Sequence, residues 1–433
     1  MKIVLCSLLA ALVIPLSAVN GQQIFRGEGT QCQGSVAGVD LSSDSVIDFT
    51  PALVKAEDGV SIFSHRFDLP QGWPGRSVYL HLESVRQAYD LVVNGKAVAS
   101  IEDSFSPANF DISSFISEGE NDISLTLRRS KLPLLEIGLF PTARSQFSGS
   151  YICAQERVGI YDYTVRFEPQ AAPNRAELKF DLILENSDFH AHTLVARYEL
   201  YNPDGVLIER AIREVVLGAG LRDTLSLQQG ISGADEYRWS AAKPNLYRVA
   251  LHLLSDGVVG ESLSFKVGYT DFATRESRLY NFDEMVELCV ERYVARSDRE
   301  TAAFELKGLK SIGKNAIMTM YTQPIWFYEL CDELGIYVIE QPNINPPAGD
   351  NRKQGGTPAN NPALKDEYLK RVASSYYRTR NFTSVVAYSL AKSSGNGYNM
   401  YKSYQMLKSL EADRPIIYLG AAGEWNSDSL DIK

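Results

Sequence analysis

The chain has 433 residues, of which 45% are hydrophobic and 22% are charged, and its formal net charge is −10 at pH 7. This length accommodates two to four domains with buried cores, and the composition is that of a globular protein. The acidic balance argues against nucleic acid or an anionic membrane surface as the main partner.

The first residues follow the pattern of a secretory signal peptide. Met1 and Lys2 precede an apolar run over residues 3–16, and small residues then lead to a cleavage position before Gln22. The run is too short for a comfortable membrane span, and no later stretch reaches its length. We therefore predict a signal peptide over residues 1–21 and export to the periplasm or the extracellular space.

Residues 22–170 consist of short apolar and polar alternations that turn residues interrupt, as over residues 78–82 and 123–127. Asn94 and Gly95 lie between two such runs, and this pair is typical of a two-residue hairpin turn. Many short strands without a helical stretch predict a β-sandwich of the jelly-roll type.

Residues 171–268 read as a second all-β domain of about immunoglobulin size. Strand-like runs cover residues 178–184, 194–201 and 247–254. The Asn-Pro-Asp-Gly sequence over residues 202–205 predicts a hairpin turn, because proline restricts φ and glycine supplies a positive φ. We predict an immunoglobulin-like sandwich that acts as a spacer.

In residues 269–433 the pattern changes to alternating strands and helices. Residues 299–312 and 326–334 have helical spacing, whereas residues 316–318 and 336–339 are strand-like. Such alternation predicts βα units, and a complete barrel of them typically takes about 250 residues. The region therefore predicts the front part of a (β/α) TIM barrel. Its expected strands are near Leu288, Ile317, Val338, Val386 and Ile416.

Several runs resemble glycoside hydrolase family 2, the β-galactosidase and β-glucuronidase family. The runs with this resemblance cover residues 72–76, 239–247, 265–269, 327–336 and 389–395. The resemblance extends over nearly the whole mature chain. It implies a sugar-binding jelly roll, an immunoglobulin-like spacer and the first strands of a catalytic barrel.

The fourth barrel strand of that family ends Ser-Leu-Gly-Asn-Glu-Ser-Gly, where the Glu is the catalytic acid/base and the Asn binds the sugar. Residues 389–395 read Ser-Leu-Ala-Lys-Ser-Ser-Gly, so Lys392 and Ser393 occupy those two positions. Serine has no ionisable proton near neutral pH, and lysine brings a cation in place of an amide. The resemblance puts the nucleophile on a seventh strand, beyond Lys433. It therefore implies that no catalytic residue is retained.

The resemblance also bears on metal binding. β-Galactosidases of the family hold Mg²⁺ through carboxylates and a histidine, within the phrase Asp-Glu-Ala-Asn-Ile-Glu-Thr-His. Residues 340–347 read Glu-Gln-Pro-Asn-Ile-Asn-Pro-Pro, so the metal positions become Asn345, Pro347 and Ser393. Mg²⁺ prefers hard anionic oxygens, and we therefore expect neither this metal nor any other cofactor.

Glu340, Asn343 and Tyr321 remain as candidate substrate-binding residues near strand ends. Glu340 is suited to bind a sugar hydroxyl or act as a base, but a buried partner for an arginine is the alternative reading. Asn343 is suited either to bind sugar or to brace its loop. Carbohydrate is the expected ligand, with no nucleic acid and no membrane span. An incomplete barrel also needs a protein partner or self-association to cover its open edge.

Three hypotheses of function remain open. The first is an exported homologue of the family that binds carbohydrate and has lost hydrolytic activity. The second is an active exo-glycosidase of the β-galactosidase type, which would need a substitute acid and nucleophile. The third is a decayed, truncated gene product without a stable fold.

Overall fold

A computed structural model gives the architecture of the chain. The predicted signal peptide, Pro347 and Ser393 lie outside the residues that the structure describes. The described residues are 46–132, 135, 146–255, 257–295, 298–346, 357–392, 394–395 and 397–418.

The first domain is a β-sandwich of two antiparallel sheets. Its strands are β1 (Val46–Asp48), β2 (Ala52–Glu57), β3 (Val60–Asp68), β4 (Ser77–Leu82), β5 (Ala88–Val93), β6 (Lys96–Ile101), β7 (Ala108–Asp111), β8 (Glu120–Arg128) and β9 (Tyr151–Gln155). One sheet has the order β1-β9-β4-β7 and the other β2-β3-β8-β5-β6. Every second residue of β8 is buried, as expected for a strand with one face on the core. The predicted sandwich is confirmed.

The turn between β5 and β6 shows how the sequence specifies a local structure. Asn94 and Gly95 have φ angles of 49° and 75°. A two-residue turn of this kind requires positive φ at both positions, and asparagine and glycine tolerate that best. The Asn94 side chain also accepts a hydrogen bond from the Asp122 N–H at 2.9 Å, which joins the turn to β8.

The second domain is another sandwich, built from long strands. They are β10 (Val158–Pro169), β11 (Arg175–Asn186), β12 (His192–Tyr201), β13 (Leu207–Leu217), β14 (Arg222–Ser232), β15 (Tyr247–Ser255) and β16 (Val258–Val267). The sheets have the orders β10-β11-β14 and β13-β12-β15-β16, and their inner faces form one hydrophobic core.

The division between the two sandwiches lies earlier in the structure than residue 170. Strand β10 pairs with β11 from Val158 to Pro169, so it belongs to the second sandwich. The predicted boundary at residue 170 falls in the turn between these strands, which is closed by a hydrogen bond from the Gln170 N–H to the Arg175 carbonyl.

A small antiparallel sheet precedes the barrel segment. It contains β17 (Phe272–Arg275), β18 (Arg278–Asn281) and β19 (Glu284–Met285). The parallel strands that follow are β20 (Val290–Arg292), β21 (Ala316–Met318), β22 (Tyr337–Glu340), β23 (Val385–Ser389) and β24 (Ile416–Ile417). They pair in chain order and in parallel, which confirms the five predicted strands and the partial barrel.

Four α-helices accompany these strands in the described residues. They are α1 (Arg299–Ser311), α2 (Ile325–Leu334), α3 (Lys365–Thr379) and α4 (Tyr398–Leu410). The Asp298 side chain caps α1 by accepting a hydrogen bond from the Thr301 N–H, and α2 ends at Gly335 with a φ of 64°. None of the helices in the described ranges is both long and apolar enough to cross a membrane.

Each sandwich contacts a different end of the parallel sheet. The Trp239 indole N–H of the second sandwich donates to the Asp332 carbonyl at 2.9 Å, and Thr383 Oγ1 accepts from the Gly268 N–H, both near the N-terminal end of β23. At the C-terminal ends of the strands, the Phe105 ring of the first sandwich packs 4.7 Å from the Tyr321 ring. The first sandwich therefore covers the end of the sheet where barrels carry their chemistry.

Candidate functional site

The ends of β22 and β23 form the centre of the candidate site. The Leu390 N–H donates to the Ile417 carbonyl at 2.9 Å, and the Lys392 N–H donates to the Ile344 carbonyl at 3.0 Å. These bonds hold the backbone after β23 against the neighbouring strand and loop. Lys392 is half-buried, and Ser393 follows it outside the described residues. The structure therefore shows the position of the segment that corresponds to the family's acid/base motif as far as Lys392.

Glu340, the last residue of β22, is fully buried and accepts four hydrogen bonds from hydroxyl groups. Its Oε1 accepts from Thr322 at 3.0 Å and from Ser375 at 2.8 Å. Its Oε2 accepts from Thr319 at 2.9 Å and from Tyr328 at 2.7 Å. Two donors on each oxygen occupy the acceptor positions of a carboxylate.

The Thr319 and Tyr328 hydroxyls are oriented by the backbone. Thr319 Oγ1 accepts from the Gln341 N–H and the Tyr328 hydroxyl accepts from the Gln323 N–H, both at 2.8 Å. Each hydroxyl hydrogen is then directed at Glu340. The expected arginine partner is not found, because the four partners of Glu340 are all hydroxyls. That alternative reading of Glu340 is wrong.

Burial raises the pKa of Glu340 to about 7, although the four hydroxyl donors favour the charged form. A carboxyl with this pKa has the protonation chemistry of a general acid or base near neutral pH. However, a catalytic proton transfer also needs the carboxyl within hydrogen-bonding reach of the substrate. The Glu340 carboxyl is closed off by its four donors and by complete burial.

The other two candidate residues contact the first sandwich. Asn343 donates from Nδ2 to the Ser104 carbonyl at 2.8 Å, and the Asn343 carbonyl accepts from Arg371 Nη1 at 2.7 Å. The Tyr321 ring is buried against Phe105. The structure thus brings Glu340, Asn343 and Tyr321 to one end of the sheet, with Asn343 and Tyr321 in the contact between domains.

Two buried arginines of α3 also reach the first sandwich, and the sequence reasoning missed both. Arg378 Nη2 lies 2.7 Å from Glu83 Oε1, and Arg371 Nε lies 3.4 Å from Asp103 Oδ1. Burial lowers the pKa of Arg378 to about 9. Their spacing of seven residues, which puts both on one helix face, is the sequence signal that could have revealed them. These pairs neutralise the nearest carboxylates of the first sandwich.

The metal positions do not fit a Mg²⁺ site. Asn345 is buried, and its N–H donates to the Leu135 carbonyl at 2.6 Å. Pro347 and Ser393 lie outside the described residues, but a proline side chain supplies no ligand and a serine supplies only a neutral oxygen. Within the described ranges no three His, Cys, Asp or Glu side chains come together as a metal-binding group.

Three family models match the chain in the order of its domains. "Glycosyl hydrolases family 2, sugar binding domain" matches residues 31–134, and "Glycosyl hydrolases family 2" matches residues 158–269. "Glycosyl hydrolases family 2, TIM barrel domain" matches residues 297–432. The second match begins where β10 begins, in agreement with the division between the sandwiches described above.

Curated relatives include two β-galactosidases. The one from Priestia megaterium is 29% identical over 378 residues, which cover 83% of this chain and 36% of the relative. The one from Streptococcus thermophilus is 27% identical over 387 residues, which cover 86% of this chain and 37% of the relative. The chain thus spans little more than a third of the length of these relatives.

Solved structures show the same fold. A Bacteroides uniformis β-glucuronidase superposes with a TM-score of 0.70 at 16% identity, covering 83% of this chain and 46% of that protein. A Bacteroides vulgatus β-glycosidase has the same TM-score at 20% identity and covers 94% of this chain and 50% of that protein.

Proposed function

The chain belongs to glycoside hydrolase family 2, and we propose that it binds carbohydrate in that family's architecture without a working acid/base at the end of β23. One observation carries the proposal. The residues that follow β23 are Leu390, Ala391, Lys392 and Ser393, where the family resemblance has an Asn and a catalytic Glu in the last two positions.

The chemistry of retaining hydrolysis explains why serine in place of the family's Glu matters. The reaction needs one carboxyl group that protonates the leaving oxygen and later deprotonates water, and a second carboxylate as nucleophile, about 5–5.5 Å away. A serine hydroxyl at position 393 cannot hold and release that proton near neutral pH. Loss of a positioned acid/base typically slows the reaction by about 10²–10⁴-fold.

The carboxylates around the site offer no evident replacement. Glu340 is the buried carboxylate at the end of β22, and its oxygens are already occupied by four hydroxyls. Glu83 and Asp103 of the first sandwich pair with buried arginines. Each would need its present partners displaced before it could approach a glycosidic oxygen.

Hydrolysis assays with aryl β-galactosides and aryl β-glucuronides test the proposal, because the similar proteins are named as enzymes of these two kinds. We expect the purified protein to show no turnover above buffer. Ser393→Ala is the matched control and should be indistinguishable from the native protein. Turnover that scales with protein concentration through purification would support the active exo-glycosidase instead.

A second variant tests whether the acid/base is the only catalytic group that is missing. Lys392→Asn with Ser393→Glu rebuilds the family sequence after β23. Because Glu340 is fully buried and Glu291 on β20 forms an ion pair with Lys314, we expect tighter sugar binding without cleavage. A glycan array identifies the sugar, and a cooperative thermal melt of the native protein argues against a decayed product without a stable fold.

Export by a signal peptide over residues 1–21 remains part of the proposal, and detection of the unprocessed chain in the cytoplasm would contradict it.

A further inference from the structure

Strand β13 forms an outer edge of the second sandwich and is long for an edge strand. It contains 11 residues and pairs only with β12 among the described strands of its sheet, whose order is β13-β12-β15-β16. An edge strand presents backbone N–H and C=O groups that can pair with another chain. Edges are usually kept short or bent to prevent such pairing, which makes this one a candidate for association.

The outer face of β13 alternates apolar and charged side chains. Ile212 is 54% exposed and Val216 is 65% exposed. Between and beside them lie Arg210 and Glu214, both exposed. The other face of the strand packs inward, since Ala211, Val215 and Leu217 contact the core of the sandwich. From Glu209 to Leu217 the register with β12 is regular, so the exposed face reads Arg210, Ile212, Glu214 and Val216, and Ile208 lies at a β-bulge beyond it.

The charged residues of this face have unequal partners within the chain. Arg210 Nη2 lies 2.6 Å from Glu199 Oε1 on β12, and the Arg210 side chain is still 62% exposed. The Glu214 side chain forms no ion pair or hydrogen bond with any residue in the described part of the chain. The face thus offers an unpaired carboxylate at one end and a largely exposed guanidinium at the other.

We propose that β13 pairs with β13 of a second copy of this chain, antiparallel and about a two-fold axis at Ile212. The sequence of the exposed face is self-complementary about that residue. Arg210 of each copy lies opposite Glu214 of the other, and Ile212 lies opposite Ile212. The pairing extends the four-stranded sheet across the axis into the sheet of the second copy.

The alternation also selects this register over its neighbours. Directly opposed residues of an antiparallel pair share one face, so the exposed residues must lie opposite one another. An axis at Arg210 or at Glu214 opposes like charges. An axis at Ala211 or at Arg213 puts a charged side chain opposite Ile212. Only the axis at Ile212 matches apolar with apolar and Arg with Glu.

Sedimentation velocity over a range of concentrations tests the proposal on the full chain. We expect a reversible dimer for the native protein. Glu214→Arg places Arg opposite Arg210 and should raise the dissociation constant about tenfold or more, because the two-fold axis repeats the repulsion twice. Arg210→Glu should do the same by opposing Glu214. The double variant with both changes restores opposite charges and should recover dimerisation.

Arg213→Glu is the matched control, since this residue lies on the same strand but outside the charged pairs, and it should leave the dimer intact. Melting temperatures establish that each variant is folded. Glu214→Arg keeps the Arg210–Glu199 pair, so it preserves the test if Arg210→Glu fails to fold. A native protein that is monomeric at every concentration overturns the proposal. So does a dimer that neither single charge change weakens.

Discussion

The two ends of the parallel sheet each hold a buried carboxyl group, and the two groups are held in different ways. Asp332, near the N-terminal end of β23, accepts hydrogen bonds from the backbone N–H groups of Ser384 at 2.7 Å and Thr383 at 3.2 Å. Glu340, at the C-terminal end of β22, accepts four bonds from side-chain hydroxyls. Burial raises the pKa of both carboxyl groups to about 7.

The difference lies in what each set of donors can do. A backbone N–H can only donate, so Asp332 acts as a fixed acceptor that joins α2 to the start of β23. A hydroxyl can either donate or accept, so Thr322 and Ser375 can reorient when the Glu340 carboxyl gains a proton, whereas backbone N–H groups orient Thr319 and Tyr328. At the N-terminal end of the sheet, Asp332 therefore joins two elements through fixed backbone donors. At the C-terminal end, polar side chains enclose the titratable carboxyl group of Glu340.

Removing the Asp332 carboxylate should have the largest effect on stability. Asp332→Ala leaves the Thr383 and Ser384 N–H groups without their acceptor in a buried place. Each unsatisfied group costs about 1–3 kcal/mol. We expect a clearly lower free energy of unfolding in urea, with the loss confined to the barrel segment in amide hydrogen exchange.

Asp332→Asn is the graded control for this change. It keeps one side-chain oxygen that can accept from Ser384, and it should lose less stability than Asp332→Ala. Equal stability of native protein and Asp332→Ala would mean that the Trp239 and Gly268 contacts hold the N-terminal end of β23 without the Asp332 carboxylate.

Titration of Glu340 should give the next largest effect. Its folded-state pKa of about 7 is above its ordinary value of 4.5, so the folded protein binds the proton more tightly than the unfolded chain does. Stability from this group is complete below about pH 4.5 and is lost as the pH rises to about 7, by about 3 kcal/mol at most. Urea unfolding of the native protein and of Glu340→Gln across this range measures the difference.

We expect Glu340→Gln to flatten the dependence of stability on pH between these values. Glu291→Gln changes a more exposed glutamate of the same parallel sheet, on the edge strand β20, and serves as the matched control. The comparison between the two sheet ends fails if Glu340→Gln leaves the slope as steep as in the native protein. In that case Asp332, which titrates in the same direction, carries the dependence.

Much of the fold could be predicted because its signals are local. The Asn94-Gly95 turn, the alternation in β8 and the spacing of α1 each specify an element within a few residues of sequence. The division between the sandwiches was harder to place, because the turn after β10 looks like a linker until its pairing with β11 is known.

The candidate site could be predicted only in part, because its contacts join residues far apart in the chain. The resemblance located Glu340 at a strand end. A buried glutamate suggests an arginine as its partner, but in the structure four hydroxyls from three separate segments take the place of that arginine. The pairs of Arg378 with Glu83 and Arg371 with Asp103 link residues more than 250 positions apart. Periodicity carries no information about such distant partners.

Mg²⁺ should have no effect on the stability of either end of the sheet, and this is the smallest of the predicted effects. An ion that binds only the native state raises stability in proportion to the logarithm of its concentration above the dissociation constant. The positions that would hold it are Asn345, Pro347 and Ser393, which offer an amide, no ligand and a hydroxyl in place of anionic oxygens. The melting temperature in millimolar MgCl₂ should therefore equal that in NaCl of matched ionic strength. A saturable rise with Mg²⁺ that chelation reverses would show a metal site at the C-terminal end. Glu340 is the carboxylate at that end of the sheet that could then bind the ion, so Glu340→Gln should abolish the rise. That outcome would depend on the same residue that distinguishes the two ends.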